Sequence, residues 1–163
     1  MIDFAEALEA VGHGPVQKRA MTNLDTLNEA YDYAKPSSFS RGMRIDLNGL
    51  TILLISGTAS IDDQGRTVHV GDFRAQQRRT YDNIGKLLAS EGATWHDIVR
   101  TTCYLRDIER DYQAFNEERT AFFKEQGLDP LPASTGIQAI LCRPDLLIEI
   151  EAIAMFRRES PEQ

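Results

Sequence analysis

The feature that most constrains the fold is an apolar run near the C-terminus, residues 146–156, which carries Glu149 and Glu151. The run is aliphatic and rich in β-branched residues, with no glycine or proline, so it predicts a β-strand. Because strand side chains alternate between faces, one face is wholly apolar and the other holds both carboxylates among apolar neighbours. The run therefore predicts a sheet with one face under helices and another whose carboxylates need partners.

Two interpretations of these carboxylates remain open at this point. They are solvent-facing charges on a half-exposed strand, which is the common pattern of one-sided sheets. Alternatively, they meet a cation, donors from another subunit or a substrate, because carboxylates are rarely buried alone. The rest of the chain supplies the context for a choice.

Length and charge exclude several classes of protein. A chain of 163 residues fits one domain with an N-terminal extension. The net charge of −7 argues against a nucleic-acid partner, because neutralising phosphates requires a basic surface. No apolar stretch reaches the ~18 residues of a membrane span, so we expect no membrane partner. The N-terminus lacks a secretion signal, so we expect a cytoplasmic protein.

The residue pattern predicts neither a metal site nor a cofactor. Cys103 and Cys142 have no metal-type spacing, and His13, His69 and His96 are scattered along the chain. In a reducing compartment both thiols would stay free.

Periodicity and turn signals predict the element order ββ-α-β-α-ββ. The predicted strands cover about 43–47, 51–56, 98–105, 134–141 and 147–156, and the predicted helices cover about 72–90 and 111–125. Asn48-Gly49 predicts a hairpin turn, since both positions must accept positive φ. Residues 1–35 are expected to form two short helices, about residues 4–11 and a second after Thr22-Asn23, and residues 158–163 a disordered tail.

Two helices cover only one face of a sheet of this size. The other face is then wet or shielded by further subunits, and the apolar neighbours of Glu149 favour shielding. We therefore expect an oligomer.

An ordered series of short segments carries a family resemblance. They are residues 36–42, 54–57, 77 with 83–84, 98–107, 115–123 and 131–154, the last containing Ile148-Glu149-Ile150-Glu151-Ala152. Together they resemble the RidA/YjgF family of small trimeric proteins, often called reactive-intermediate or imine deaminases. The resemblance covers a single domain, residues 36–157.

The resemblance implies an α+β, chorismate-mutase-like fold, with a mixed sheet and two helices on one face. Three subunits of the homotrimer would form a central β-barrel with three intersubunit clefts. Active family members hydrolyse imines or enamines such as 2-aminoacrylate to a 2-keto acid and ammonia, without a metal or organic cofactor. Some relatives have been called endoribonucleases or translation inhibitors, but the acidic composition gives no support for RNA as substrate.

The family's site residues map onto this chain with one departure. Its working glutamate falls on Glu149 and its aromatic residue on Phe39, whereas its carboxylate-binding arginine falls on Ser134. A serine has neither the charge nor the planar fork of arginine. Deamination of a small 2-imino acid would then need a replacement cation, for which the candidates are Arg41, Arg106 and Arg143.

A second resemblance points to chorismatases, larger enzymes that release pyruvate from chorismate. It rests on residues 56–60 and 135–149, and it implies that Cys142 and Glu149 line a pocket. Cys142 has the alternative role of a packing residue, because no histidine falls beside it.

We expect Glu149 to act as the acid or base, because apolar neighbours would raise its pKa toward a working value. The predicted substrate-binding residues are Phe39, Arg41, Gly57, Thr58, Ser134, Thr135, Gly136 and Cys142. The predicted function is hydrolysis of an enamine, imine or enol ether. A non-catalytic trimer that binds small molecules or other partners, and a chorismatase-like hydrolase, are the alternatives.

Overall fold

The apolar run near the C-terminus forms a central strand of a six-stranded mixed sheet. The structure, a computed structural model, describes residues 16–24, 27–33 and 36–157. The strands are β1 (Gln17–Ala20), β2 (Gly42–Leu47), β3 (Leu50–Ala59), β4 (Ile98–Leu105), β5 (Ala133–Gln138) and β6 (Ile148–Arg157). Their order across the sheet is β1-β2-β3-β6-β4-β5, and only β4 and β5 pair in parallel.

Strand β6 alternates between two faces as the sequence predicts. Its helix-side residues Ile148, Ile150, Ala152 and Ala154 are at most 2% exposed. Its other face carries the two glutamates, Ile153 and Met155, which are half-buried or exposed. The alternation confirms that one side of the sheet is the protein core.

Two helices cover the core side. They are α1 (Phe73–Ser90) and α2 (Ile108–Glu125). Asp72 and Asp107 cap them, each accepting a hydrogen bond from a backbone N–H three residues on, at 3.0 Å. Between the helices Tyr81 stacks on Phe122 with ring centroids 4.5 Å apart. The predicted α+β architecture, with both helices on one face, is confirmed.

The hairpin between β2 and β3 also follows the sequence. Asn48 and Gly49 adopt φ of 49° and 77°, the left-handed conformation that this tight turn requires. Strand β3 continues beyond the predicted end to Ala59. A β-bulge interrupts its pairing with β6 between Ile55 and Thr58, so Gly57 lies inside the strand.

The N-terminal segment differs from the predicted helices. Residues 17–20 form β1, which pairs antiparallel with β2, and residues 30–32 form a single 3-10 turn. The free edge of β2 offers main-chain partners, and Met21 and Leu27 are buried in the core. Tertiary contacts therefore override the weak helical spacing. The helix predicted over residues 4–11 and the C-terminal tail lie outside the described residues.

The sheet face opposite the helices is uncovered in a single chain. Its apolar residues include Leu47, Leu54, Ile137 and Met155, each more than 40% exposed. A cavity of about 190 Å³ on this face is lined by Leu54, Arg100, Thr102 and Glu151, among others. In the described part of the chain, no helix has the length and apolarity to cross a membrane.

Candidate functional site

The β-bulge in β3 brings the backbone of Gly57 against the side chain of Glu149. Glu149 lies near the start of β6, opposite Ala59 of β3 and Tyr104 of β4. A Cβ added at Gly57 would lie 2.1 Å from Glu149 Oε1, far inside van der Waals contact. A residue without a side chain is thus what lets this carboxyl occupy its position.

The electrostatic surroundings of Glu149 favour its neutral form. Burial raises the pKa of its carboxyl, and the negative charge of Glu151 raises it further, whereas Arg143 opposes the shift. A carboxyl that keeps its proton to higher pH is suited to general acid–base chemistry.

The charge of Glu149 acts on the thiol of Cys142. Burial raises the pKa of the Cys142 thiol, and the negative charge of Glu149 adds to that shift. A thiol whose pKa is raised is a poor nucleophile at neutral pH, because the thiolate is the reactive form. The raised pKa therefore favours a lining role for Cys142 over a nucleophilic one.

Arg41 forms a second cluster with the aromatic residues Tyr33 and Phe39. The Arg41 guanidinium donates to the carbonyl of Asn28, at 3.0 Å from Nε and 2.7 Å from Nη2, and also to the Tyr33 hydroxyl. It lies 4.9 Å from the Tyr33 ring centroid and 5.6 Å from that of Phe39. Arg41 is 4% exposed, so it orders the segment before β2.

Glu29 adds a buried carboxyl near this cluster. It is 2% exposed, and neither of its carboxylate oxygens has a hydrogen-bond partner among the described residues. Burial raises the pKa of Glu29, and the charge of Arg41 partly opposes the shift. Glu29 and Tyr33 were missed by the sequence reasoning, because they lie in the segment predicted to be helical.

Arg143 links the two groups electrostatically. Its side chain donates to the Gly65 carbonyl, and its charge acts on Glu149 as well as on Arg41 and Tyr33. Arg106, by contrast, donates to the carbonyls of Leu141, Arg143 and Leu146. The Arg106 guanidinium is therefore engaged in holding the loop before β6.

Thr58 does not present its hydroxyl to Glu149. It is 4% exposed, and its Oγ1 donates to the Ser56 carbonyl at 2.9 Å. Because Thr58 pairs with Ile150, its side chain is on the helix side of the sheet, away from the glutamate face.

The predicted site residues of β5 are remote from Glu149 within one chain. Glu149 is level with Tyr104 and Ile137, whereas Ser134 is three residues back along the edge strand. Two strand spacings across the sheet and three residues along it place the backbones of Glu149 and Ser134 on the order of 14 Å apart. Ser134 also faces the helix side with Thr101, whereas Glu149 faces the open side. One chain therefore brings together Glu149, Gly57 and Cys142 but not Ser134, Thr135 and Gly136.

Two arginines that the sequence reasoning did not single out contact this edge strand. Arg100 Nη2 donates to Thr135 Oγ1, and Arg119 Nη1 donates to Ser134 Oγ, both at 3.2 Å. The approach of α2 to β5 is a tertiary contact, which local sequence patterns do not predict.

A separate cavity lies against the helices. Its volume is about 410 Å³, and Trp95, Phe122 and Arg78 are among the residues that line it. It contains none of the predicted site residues. Within the described ranges, no group of three His, Cys, Asp or Glu side chains is placed to hold a metal ion.

Comparisons with known proteins agree on one family. The family model for endoribonuclease L-PSP matches residues 33–156. The 3-aminoacrylate deaminase RutC of Acinetobacter baylyi is 35% identical over 103 residues, 63% of this chain and 78% of that protein. A RutC family protein of Haemophilus influenzae is 33% identical over 111 residues, 68% of this chain and 82% of that protein.

Solved structures agree with the sequence relatives. The YjgF gene product of E. coli has a TM-score of 0.68 and 27% identity, covering 85% of this chain and 99% of that one. The chain therefore has the RidA/YjgF fold, and it belongs to the endoribonuclease L-PSP family, the RidA/YjgF family.

Proposed function

We propose that the protein is a hydrolase of small enamines or imines that carry an anionic group, with Glu149 as its acid and base. The observation that carries this proposal is the Glu149 carboxyl, held against Gly57 with a raised pKa. The name of the Acinetobacter relative, a 3-aminoacrylate deaminase, supports an enamine acid as substrate. Phe39 and Cys142 would line the cleft around it.

One carboxyl suffices for the proton transfers of such a reaction. Neutral Glu149 protonates the terminal carbon of the enamine, giving an iminium ion. The resulting carboxylate takes a proton from water as the oxygen adds to the iminium carbon. Glu149 then protonates the nitrogen and accepts the hydroxyl proton as the carbon–nitrogen bond breaks. Ammonia and a keto acid are released, and the carboxyl ends in its starting state.

The complete site would require a homotrimer. In one chain Ser134, Thr135 and Gly136 are exposed and far from Glu149, which is half-buried on the open face of the sheet. Packing the open sheet faces of three chains together would bury Leu54 and Met155. It would also bring β5 of one subunit to the Glu149 of its neighbour, which closes the cleft.

The test compares Glu149→Gln with Glu151→Gln in an ammonia-release assay, with 2-aminoacrylate generated in place by a serine dehydratase. We expect Glu149→Gln to lose on the order of 10²–10⁴-fold in rate, the usual contribution of an acid–base group. Glu151→Gln should stay within a few-fold, because Glu151 borders the open-face cavity with Arg100 and Thr102. Unchanged turnover by Glu149→Gln would overturn the proposal.

A non-catalytic binding trimer is the second candidate, favoured by Ser134 where deaminases have arginine. It predicts a saturable rise in melting temperature with 2-keto acids and no ammonia release, because binding alone stabilises the folded state. Release of pyruvate from chorismate would instead support the chorismatase-like alternative. The cytoplasmic location and the domain boundary at residue 36 stay predictions.

A further inference from the structure

An arginine from α2 reaches the edge strand at the position where the deaminase arginine is missing. Arg119 Nη1 lies 3.2 Å from Ser134 Oγ, and its Nη2 lies 2.6 Å from Asn116 Oδ1. The guanidinium carbon is 4.7 Å from the centroid of the Phe115 ring. Stacking on Phe115 and the bond to Asn116 hold the plane of the guanidinium at the β5 edge.

Arg119 differs in its partners from three of the four other arginines in the helices, and the fourth, Arg79, donates to a backbone carbonyl. Arg74, Arg78 and Arg110 each form a salt bridge with an acidic side chain. Arg119 has only neutral acceptors, and no salt bridge from it occurs among the described residues. Its positive charge is therefore not neutralised locally, and several of its five N–H groups remain available.

The hydroxyl of Ser134 lies beside the Arg119 guanidinium. Ser134 Oγ accepts from Arg119 and, at 3.0 Å, from Thr101 Oγ1. A hydroxyl with both lone pairs occupied keeps one proton to donate, and the Cys103 thiol is one acceptor next to it. Ser134 and Arg119 thus place a rotatable hydroxyl and one positive charge together at an exposed edge.

The other candidate cations already donate hydrogen bonds to partners elsewhere in the fold. Arg106 donates to three backbone carbonyls, and Arg41 to Asn28 and Tyr33. Arg143 donates to Gly65 on the Glu149 side of the cleft. Arg100 contacts Thr135, whose side chain is on the opposite face of β5 from Ser134.

We propose that Arg119, with the Ser134 hydroxyl, binds the carboxylate of the substrate in place of an arginine on β5. The proposal rests on the proposed function, since it assigns the anionic end of that same substrate. A carboxylate between the guanidinium and the hydroxyl receives charge-assisted hydrogen bonds from both. The arginine is supplied by α2 and the hydroxyl by β5, so the helix layer takes part in recognition.

The test measures pyruvate binding by calorimetry for the wild type, Arg119→Met and Arg119→Lys. Methionine keeps the packing on Phe115 without the charge, and we expect it to weaken pyruvate binding at least tenfold. Lysine should restore part of that loss. Arg110→Met is the matched control on the same helix, and it should stay within twofold because Arg110 is paired with Asp111. Binding of the uncharged methyl pyruvate should differ little between wild type and Arg119→Met.

Three results would overturn the assignment. They are wild-type pyruvate affinity in Arg119→Met, a larger loss of affinity in Arg100→Met, and a wild-type protein that binds no 2-keto acid. Failure of the Arg119 assignment can be distinguished from failure of the proposed function. Loss of binding in Arg119→Met without any wild-type turnover retains the carboxylate site and rejects the hydrolase. Turnover by the wild type with the same KM in Arg119→Met retains the hydrolase and rejects the site.

Discussion

The contact between Gly57 and Glu149 is the most constrained in the candidate site. Glycine at the bulge lets the carboxyl lie where a methyl group would stand. We predict that Gly57→Ala lowers ammonia release on the order of 100-fold, because a displacement of about 1 Å is enough for such a loss. Melting temperature should change little, since a Glu side chain can rotate away.

A double-mutant cycle isolates this contact. If the alanine acts only through the carboxyl, Gly57→Ala should cost no further stability in a Glu149→Ala background. A substantial loss of stability of the same size in both backgrounds would mean that the alanine strains the bulge itself.

The pKa shift of Glu149 predicts a pH-dependent gain in stability for Glu149→Gln. Above the raised pKa, the folded state holds a desolvated charge that the unfolded chain leaves in water. Below the ordinary glutamate pKa of about 4.3 the carboxyl is neutral in both states. The wild-type protein thus loses stability as pH rises through the raised pKa. The variant should melt higher than wild type at pH 8, and the difference should vanish near pH 4. A constant difference across this range would contradict the shift.

At the scale of elements, a buried ion pair joins β2 to the end of α1. Arg44 and Glu91 have side chains 4% and 2% exposed, with Arg44 Nη1 3.1 Å from Glu91 Oε2. Glu91 is also paired with Arg19 at 2.5 Å, so Arg44→Met leaves this carboxylate one cation. We predict a loss of about 2–3 kcal/mol for Arg44→Met in urea unfolding, because a hydrogen bond to a buried charged group contributes about 1.5–3 kcal/mol.

Arg66→Met is the control for this prediction. Arg66 is 69% exposed in its pair with Asp62, so the loss should be at most about 1 kcal/mol. Equal losses in the two variants would show that the Arg44 pair adds nothing beyond a surface contact.

The elements that sequence reasoning predicted well are those specified locally. Asp72 caps α1, Asn48-Gly49 turns the first hairpin, and β6 alternates as its residues require. Strand β1 and the β3 bulge were missed, because both depend on strands distant in sequence. The same holds within the site: Glu149 follows from its strand, whereas Arg119 depends on how α2 packs beside β5.

At the scale of the whole molecule, the open sheet face predicts self-association. Light scattering should give three times the chain mass of 18.4 kDa. We predict that Leu54→Lys and Met155→Lys each lower this mass toward that of one chain, because a desolvated charge would lie in the interface. Val70→Lys should leave the mass unchanged, since Val70 is an exposed loop residue. A wild-type protein that sediments as a monomer would refute the shared cleft.

The separation of Glu149 from the β5 edge has a consequence for mixtures of chains. If each cleft draws its carboxyl from one subunit and its cation from the next, two impaired variants should complement one another. Random assembly of equal amounts of Glu149→Gln and Arg119→Met chains would leave about one cleft in four intact. Each variant alone would have none. In a cell with both kinds of chain, either defect would be partly masked by the other, as in interallelic complementation.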